Sequence, residues 1–315
     1  MAKNKQIKRR RQLYEKLVVP PGSKVRLKDY DPGWAQDEEL KKLGKDEVKA
    51  RASALLESNL QELQEAQELL WASDSHSVLI VLQGMDAAGK DGIIKHVMSG
   101  INPSGCQVTS FKTPSAEELD HTFLWRQMKA APARGMIGIF NRSHYEEVLI
   151  AKVHPEVLER QRLPTTKFKR KFWESRYDDI NNFERHLSRN GTVILKFFLN
   201  ISKEEQRARF LERLDDPDKH WKFSTSDLHE RGYWDDYTEA FEDMLSNTST
   251  KWAPWHVIPS NYKWVARTLV AAILTTYIKN LNLEYPKVSD EKREELAGAR
   301  ERLLAEAGAP GNDEK

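Results

Sequence analysis

The stretch Gln83-Gly84-Met85-Asp86-Ala87-Ala88-Gly89-Lys90-Asp91-Gly92 sets two glycines five residues apart, with a lysine directly after the second. This is the G-x-x-x-x-G-K spacing of a loop that wraps phosphates. Glycine permits positive φ and lets backbone N–H groups approach an anion, and a helix starting there adds its positive N-terminal dipole. Lys90 is placed to reach the outer phosphates as a point charge. The position after it is Asp91, where such loops usually carry a Ser or Thr hydroxyl on Mg²⁺. Asp86 inside the loop is a second carboxylate. Two carboxylates beside a polyanion need a divalent cation between them, so Mg²⁺ held by Asp86 and Asp91 is expected. The bland alternatives are a strand-to-helix turn with a solvated lysine, and Asp91 as an ordinary helix N-terminal acid.

A second cluster, Asn141-Arg142-Ser143-His144-Tyr145-Glu146-Glu147, follows the apolar run Met136–Phe140. Related loops often end this strand with a metal-binding Asp; Asn141 brings no charge, which shifts metal binding toward Asp86. Arg142 is suited to neutralise charge on a transferring phosphoryl group, unless it merely pairs with Glu146 at i,i+4 spacing. A third cluster opens with the capping box Ser202-Lys203-Glu204-Glu205 and carries Arg207, Arg209 and Arg213, then Lys219, Trp221 and Lys222. It reads either as a helical lid over about 202–235 that closes on phosphates or as a solvated charged face. Lys95 and Arg126 are further candidate phosphate ligands. His144, His154 and His256 lack metal-ligand spacing, no Ser/His/Asp arrangement stands out, and Trp234, Trp252, Trp255 and Trp264 read as core.

These groups need a frame. Short apolar runs at Val78–Leu82, Val108–Phe111, Met136–Phe140, Thr192–Leu199 and His256–Pro259 read as strands. Helical stretches at Glu38–Trp71, Gly92–Ser99, Ala116–Lys129 and Thr165–Arg189 separate them. Near-continuous apolar strands alternating with helices predict an α/β fold with a mostly parallel sheet covered on both faces. Ligands bind such sheets beyond the carboxyl ends of the strands, so the first two clusters should share one crevice. Residues 1–36, basic at Lys3, Lys5, Lys8, Arg9, Arg10 and Arg11 and then Pro/Gly-punctuated, read as an extended arm. Residues 37–287 form the expected kinase-like domain, and 288–315 a charged tail.

The formal net charge is only +2 over 315 residues, so affinity for a polyanion must come from local arrangement. Cys106 is the only cysteine, which excludes an intramolecular disulfide and fits a reducing compartment. No signal peptide follows the basic start, and Leu269–Ile278 is too short to span a bilayer. A cytoplasmic protein without membrane contact is expected.

Taken together, GMDAAGKDG, INPSG (Ile101–Gly105), FLWR, FNRSHYE, LKFFLNISKEEQ, RLDDPDKHWKFS and WAPWHVIPSNYKW resemble the polyphosphate kinase 2 family over about residues 25–285. The resemblance implies a three-layer α/β/α P-loop kinase fold similar to thymidylate kinase, with a helical lid. It implies inorganic polyphosphate as phosphoryl donor, ADP or AMP as acceptor, Mg²⁺ as cofactor and a reversible reaction. It assigns Gly84, Asp86, Ala87, Ala88, Gly89, Lys90 and Asp91 to the phosphate loop. Asn141 and Arg142 fall in the second motif, and Arg207, Arg209 and Arg213 in the lid. Members with Asn at the strand end followed by RSHYE look like the group accepting both AMP and ADP. Thr122 stands before FLWR where an acidic residue is frequent. Adenine nucleotides are the expected partners, with guanine left open, nucleic acid is not expected, and self-association is. The rivals are an ATP-dependent nucleoside monophosphate kinase and a polyanion-binding protein without turnover.

Overall fold

The structure is a computed structural model and describes residues 15–35, 38–165 and 167–308. Five strands, β1 (Ser77–Gln83), β2 (Cys106–Ser110), β3 (Ile137–Asn141), β4 (Thr192–Asn200) and β5 (Trp255–Pro259), form one sheet in the order β2-β3-β1-β4-β5. Every pairing is parallel. All seven residues of β1 are buried, as expected for a central strand covered on both faces. The two-residue period of the strand divides it: Val78, Ile80 and Leu82 enter one core, Leu79 and Val81 the other.

The first core lies under the helices Lys45–Ser73, Lys90–Val97 and Lys263–Lys279; the second lies under Glu146–Val153, Arg170–Arg189 and Trp234–Thr248. The result is the three-layer α/β/α arrangement. All five strands anticipated from the apolar runs are present. The polar β2 (Cys-Gln-Val-Thr-Ser) tolerates its partial exposure because it is an edge.

The helices differ more from expectation. The first long stretch is two helices, Glu38–Leu43 and Lys45–Ser73, parted by Gly44 at φ +82°. Ala116–Lys129 is likewise divided into Ala116–Leu119, with its Ser115/Glu118 capping box, and Trp125–Lys129. The long central helix starts at Arg170 rather than Thr165.

The second half of the expected arm is packed. Leu17, Val19 and Val25 are buried, Val18 bridges His256 in antiparallel sense, and Val19 N donates to Trp255 O at 2.9 Å. β5 would otherwise expose its outer row of backbone groups, and this segment covers it. The basic residues Lys3 to Arg11 lie outside the described residues.

Residues 284–308 belong to a unit of their own. Within it, helix Asp290–Gly308 is rich in Ala, Leu, Glu and Arg, all strong helix formers, and Ser289 Oγ accepts from Lys292 N at 3.2 Å. Among the described residues no helix is long and apolar enough to cross a membrane.

Candidate active site

β1 is central, and its neighbours β3 and β4 lie on opposite sides of it, so the chain reverses its direction of travel across the sheet there. The loop leaving β1 therefore opens into the crevice at the carboxyl ends. Its conformation depends on its glycines. Gly84 has φ +155°, and a Cβ there would stand 2.9 Å from the Leu199 carbonyl oxygen of β4. Gly89, at φ +111°, starts the helix Lys90–Val97. Ala87 is held at φ +61° without being glycine.

Lys90 curls back over this loop and donates to Gly84 O at 2.6 Å and Met85 O at 3.3 Å. Burial first, then the charge of Arg142, bring its ammonium down from 10.5 to about 8, against the pull of Asp86. Asp86 accepts from Arg142 Nη2 at 2.7 Å, and Asp91 from Asn141 Nδ2 at 2.7 Å. The two anticipated clusters are thus joined by two side-chain bridges across the ends of β1 and β3. Arg142 also contacts Glu146 at 3.5 Å, the i,i+4 pair, and Glu146 and then Asp86 raise its already high pKa. The i,i+4 pairing with Glu146 is therefore present in the fold, beside the bond of Arg142 to Asp86.

A cleft of about 770 Å³ runs along the loop. Ten lysines and arginines line it against four carboxylates, an excess of six positive charges where the whole chain carries two. Lys90, Lys95 and Lys112 stand on the sheet side with Arg142; Arg213, Lys219 and Lys222 come from the segment after β4, and Lys263 and Arg267 from the helix after β5.

Three expected ligands sit differently. Arg209 is 5% exposed and uses all five of its donors. Nη1 donates to Ala87 O and Ala88 O at 2.8 and 3.0 Å, Nη2 to Ser260 O and Asn261 O at 2.6 and 3.2 Å, and Nε to Glu205 at 2.8 Å. It fastens the phosphate loop rather than offering a free guanidinium. Arg207 is exposed and does not line the cleft, because two residues turn a helix by roughly 200°. Arg126 lines a separate cavity of about 410 Å³ with Phe111, Lys112 and Lys129, and donates to Lys112 O at 2.7 Å.

Sequence reasoning missed Lys112, Lys263, Arg267 and Gln206, whose amide donates to Asp86 O at 3.0 Å. Lys263 left one readable trace: a cation and no acid in the first turn of its helix opposes the helix dipole.

Among the described residues no group of three or more His, Cys, Asp or Glu side chains could by itself hold a metal ion. Asp86 and Asp91 each have one oxygen engaged in the bridges above and a second oxygen outside them. Two carboxylates completed by phosphate oxygens and water is a donor set that suits Mg²⁺, which rarely occupies an all-protein cage.

A family model described as polyphosphate kinase 2 matches residues 42–286. The chain is 51% identical over 259 residues to an ADP-polyphosphate phosphotransferase of Rhodopseudomonas palustris, covering 82% of this chain and 90% of that one. It is 44% identical over 273 residues to an AMP/ADP-polyphosphate phosphotransferase of Meiothermus ruber, covering 87% and 96%. The crystal structure of a polyphosphate kinase 2 from Arthrobacter aurescens superposes with a TM-score of 0.79 at 42% identity, over 91% of this chain and 96% of that one. The loop, the parallel sheet that presents it and these matches agree: the chain is an enzyme of the polyphosphate kinase 2 family.

Proposed function

We propose that this protein transfers a phosphoryl group from the end of inorganic polyphosphate to ADP, giving ATP, and to AMP, giving ADP. The observation that carries this reading is the excess of six cationic side chains along the cleft, which suits a donor that is charged along its whole length. The names of the two relatives above support ADP, and AMP alongside it, as acceptors.

In an in-line transfer an oxygen of the acceptor's terminal phosphate attacks the end phosphorus of the donor. The bridging P–O bond breaks, and polyphosphate leaves one unit shorter. No general base is needed, since the acceptor oxygen is already ionised. Lys90 exchanges its bonds to Gly84 O and Met85 O for phosphate oxygens. Arg142 lies beside Asp86 at the junction of loop and β3, where it can screen charge on the transferring group. Asp86 and Asp91 would hold Mg²⁺, which when bound neutralises phosphate charge. Arg209 and Gln206 keep the loop in the shape that phosphates require, and Arg213, Lys219 and Lys222 cover the donor from the lid side. The single cysteine fits a cytoplasmic enzyme.

The test is ATP formation by the purified protein with Mg²⁺ and ADP, with and without long-chain polyphosphate, and again with AMP. Polyphosphate-dependent product supports the reading, and Lys90→Ala should then abolish it in a folded protein. ADP release from ATP and a nucleoside monophosphate, with no polyphosphate-dependent product, would instead favour an ATP-dependent kinase. Salt-sensitive polyphosphate binding without turnover would favour a binding protein.

A further inference from the structure

Lys196 stands in the middle of β4, between Leu195 and Phe197, and is wholly buried. Its ammonium donates to Glu184 Oε2 at 2.6 Å, to the Thr248 carbonyl at 2.7 Å and to the Tyr145 hydroxyl at 2.8 Å. The Tyr145 hydroxyl donates in turn to Glu184 Oε1 at 2.6 Å, and His144 Nε2 lies 3.3 Å from that same oxygen. Glu184, on the helix Arg170–Arg189, and Tyr145 have no exposed surface. The ring of Tyr145 meets Trp255 edge-on at 4.8 Å.

Stability gives little reason for this pair. Taking two charges out of water costs several kcal/mol each, and well-packed apolar residues of similar volume often serve as well or better. Apolar residues cannot, however, fix a hydroxyl at one point. Tyr145 lies three residues after Arg142, whose φ of +61° is in the left-handed region. A non-glycine residue there stores about 1–3 kcal/mol and stays only where its surroundings over-determine it. The surroundings do so residue by residue. Ser143 Oγ accepts from Gln83 Nε2 at the root of the phosphate loop (3.1 Å) and from Tyr145 N (3.2 Å). Glu146 reaches back to Arg142, and Glu147 accepts from Gln161 Nε2 at 2.6 Å.

We propose that the buried Lys196–Glu184 pair is a positioning device for phosphoryl transfer: by locking Tyr145 it holds the strained backbone at 142 and aims the Arg142 guanidinium into the cleft. This rests on the function proposed above. Lys196, Glu184 and Tyr145 lie beneath the site and act through Arg142. A misaimed Arg142 loses an interaction made in the transition state, so kcat falls while KM stays.

The test compares Tyr145→Phe, which keeps the ring and deletes the hydroxyl, with Lys196→Met, an unbranched apolar substitute. Each is assayed at 25 °C with polyphosphate and ADP, and followed by hydrogen exchange of the backbone over 141–148. Expected is a loss of at least fivefold in kcat, with both KM values within twofold of wild type and at least tenfold faster exchange. In an Arg142→Lys background the same Tyr145→Phe change should cost less than twofold, a coupling that a purely structural role would not produce. A folded Tyr145→Phe protein with a smaller kcat loss, a raised KM at unchanged kcat, or full additivity with Arg142→Lys overturns the proposal. If Lys196→Met fails to fold, Tyr145→Phe decides alone. Wild-type protein without polyphosphate-dependent turnover would end the functional reading instead; the exchange experiment needs no substrate, and unchanged exchange would then overturn the locking of this loop.

Discussion

Replacing Arg209 by methionine separates the two roles a basic residue near this cleft can have. The guanidinium ties the phosphate loop (Ala87 O, Ala88 O) to the turn after β5 (Ser260 O, Asn261 O) and to Glu205. Hydrogen bonds to a charged group contribute about 1.5–3 kcal/mol each. Five such values do not add, because one buried cation makes them all and its desolvation opposes them. The relevant comparison is the buried carbonyl oxygens of Ala88 and Ser260 left without their donor, about 1–3 kcal/mol each and so roughly 3–5 kcal/mol together. At roughly 2 °C of melting temperature per kcal/mol for a domain of this size, Arg209→Met should lower the melting point by roughly 6–10 °C. It should also reduce kcat, since Ala87 and Gly89 lose the tether that holds their positive φ angles. Arg207→Ala, two residues away and exposed, should stay within about 0.5 kcal/mol of wild type. Thermal melts of both variants, with turnover measured well below the transitions, form the assay. An Arg209→Met protein melting within 2 °C of wild type (about 1 kcal/mol), or an Arg207→Ala protein destabilised as much as Arg209→Met, would refute this division of labour.

Three further outcomes are expected. Arg142→Lys keeps the charge but loses the fork that engages both Asp86 and Glu146, and kcat should fall on the order of 10³-fold; less than tenfold would remove Arg142 from the transition state. The double variant Lys263→Ala/Arg267→Ala should raise KM for polyphosphate and weaken its salt dependence while leaving KM for ADP unchanged, and equal effects on both substrates would contradict a donor role for that wall. His256 is buried and accordingly lowered from 6.5 to about 4, so it is neutral in the folded protein where the unfolded chain takes up a proton. Its contribution is present above pH 6.5 and lost as the pH falls toward 4, a gap worth roughly 3 kcal/mol. Urea unfolding between pH 4.5 and 7 should show that loss, and it should shrink in His256→Asn; an unchanged slope would exclude His256 as the source.

The strands were legible because burial on both faces forces apolar runs, and the phosphate loop because its shape needs glycine at Gly84 and Gly89. Helix limits were less so: Gly44 interrupts a stretch whose flanking residues all favour helix, and the helix Glu146–Val153 is absent from the helical stretches that the sequence suggests. The three arginines after β4 show the limit most clearly. Arg207, Arg209 and Arg213 are chemically alike in the sequence. In the fold one is solvated, one buried under the loop, and one faces the cleft beside Asp227 at 3.6 Å.

By itself, then, the sequence determined the α/β class and the Gly84-to-Lys90 loop at the end of the first strand, since each is written in local spacing or residue type; the Arg142–Asp86 pair, 56 residues apart, came only with the fold. The tertiary structure decided which cations share the cleft, because Lys112, Lys263 and Arg267 come from segments brought together only by the strand order. It also decided which polar residues turn inward: Lys196 and Glu184 look like ordinary surface charges until β4 and the helix Arg170–Arg189 pack face to face. Period and composition report what one segment prefers, whereas a site is an agreement among segments far apart in the chain, and only the folded sheet makes it.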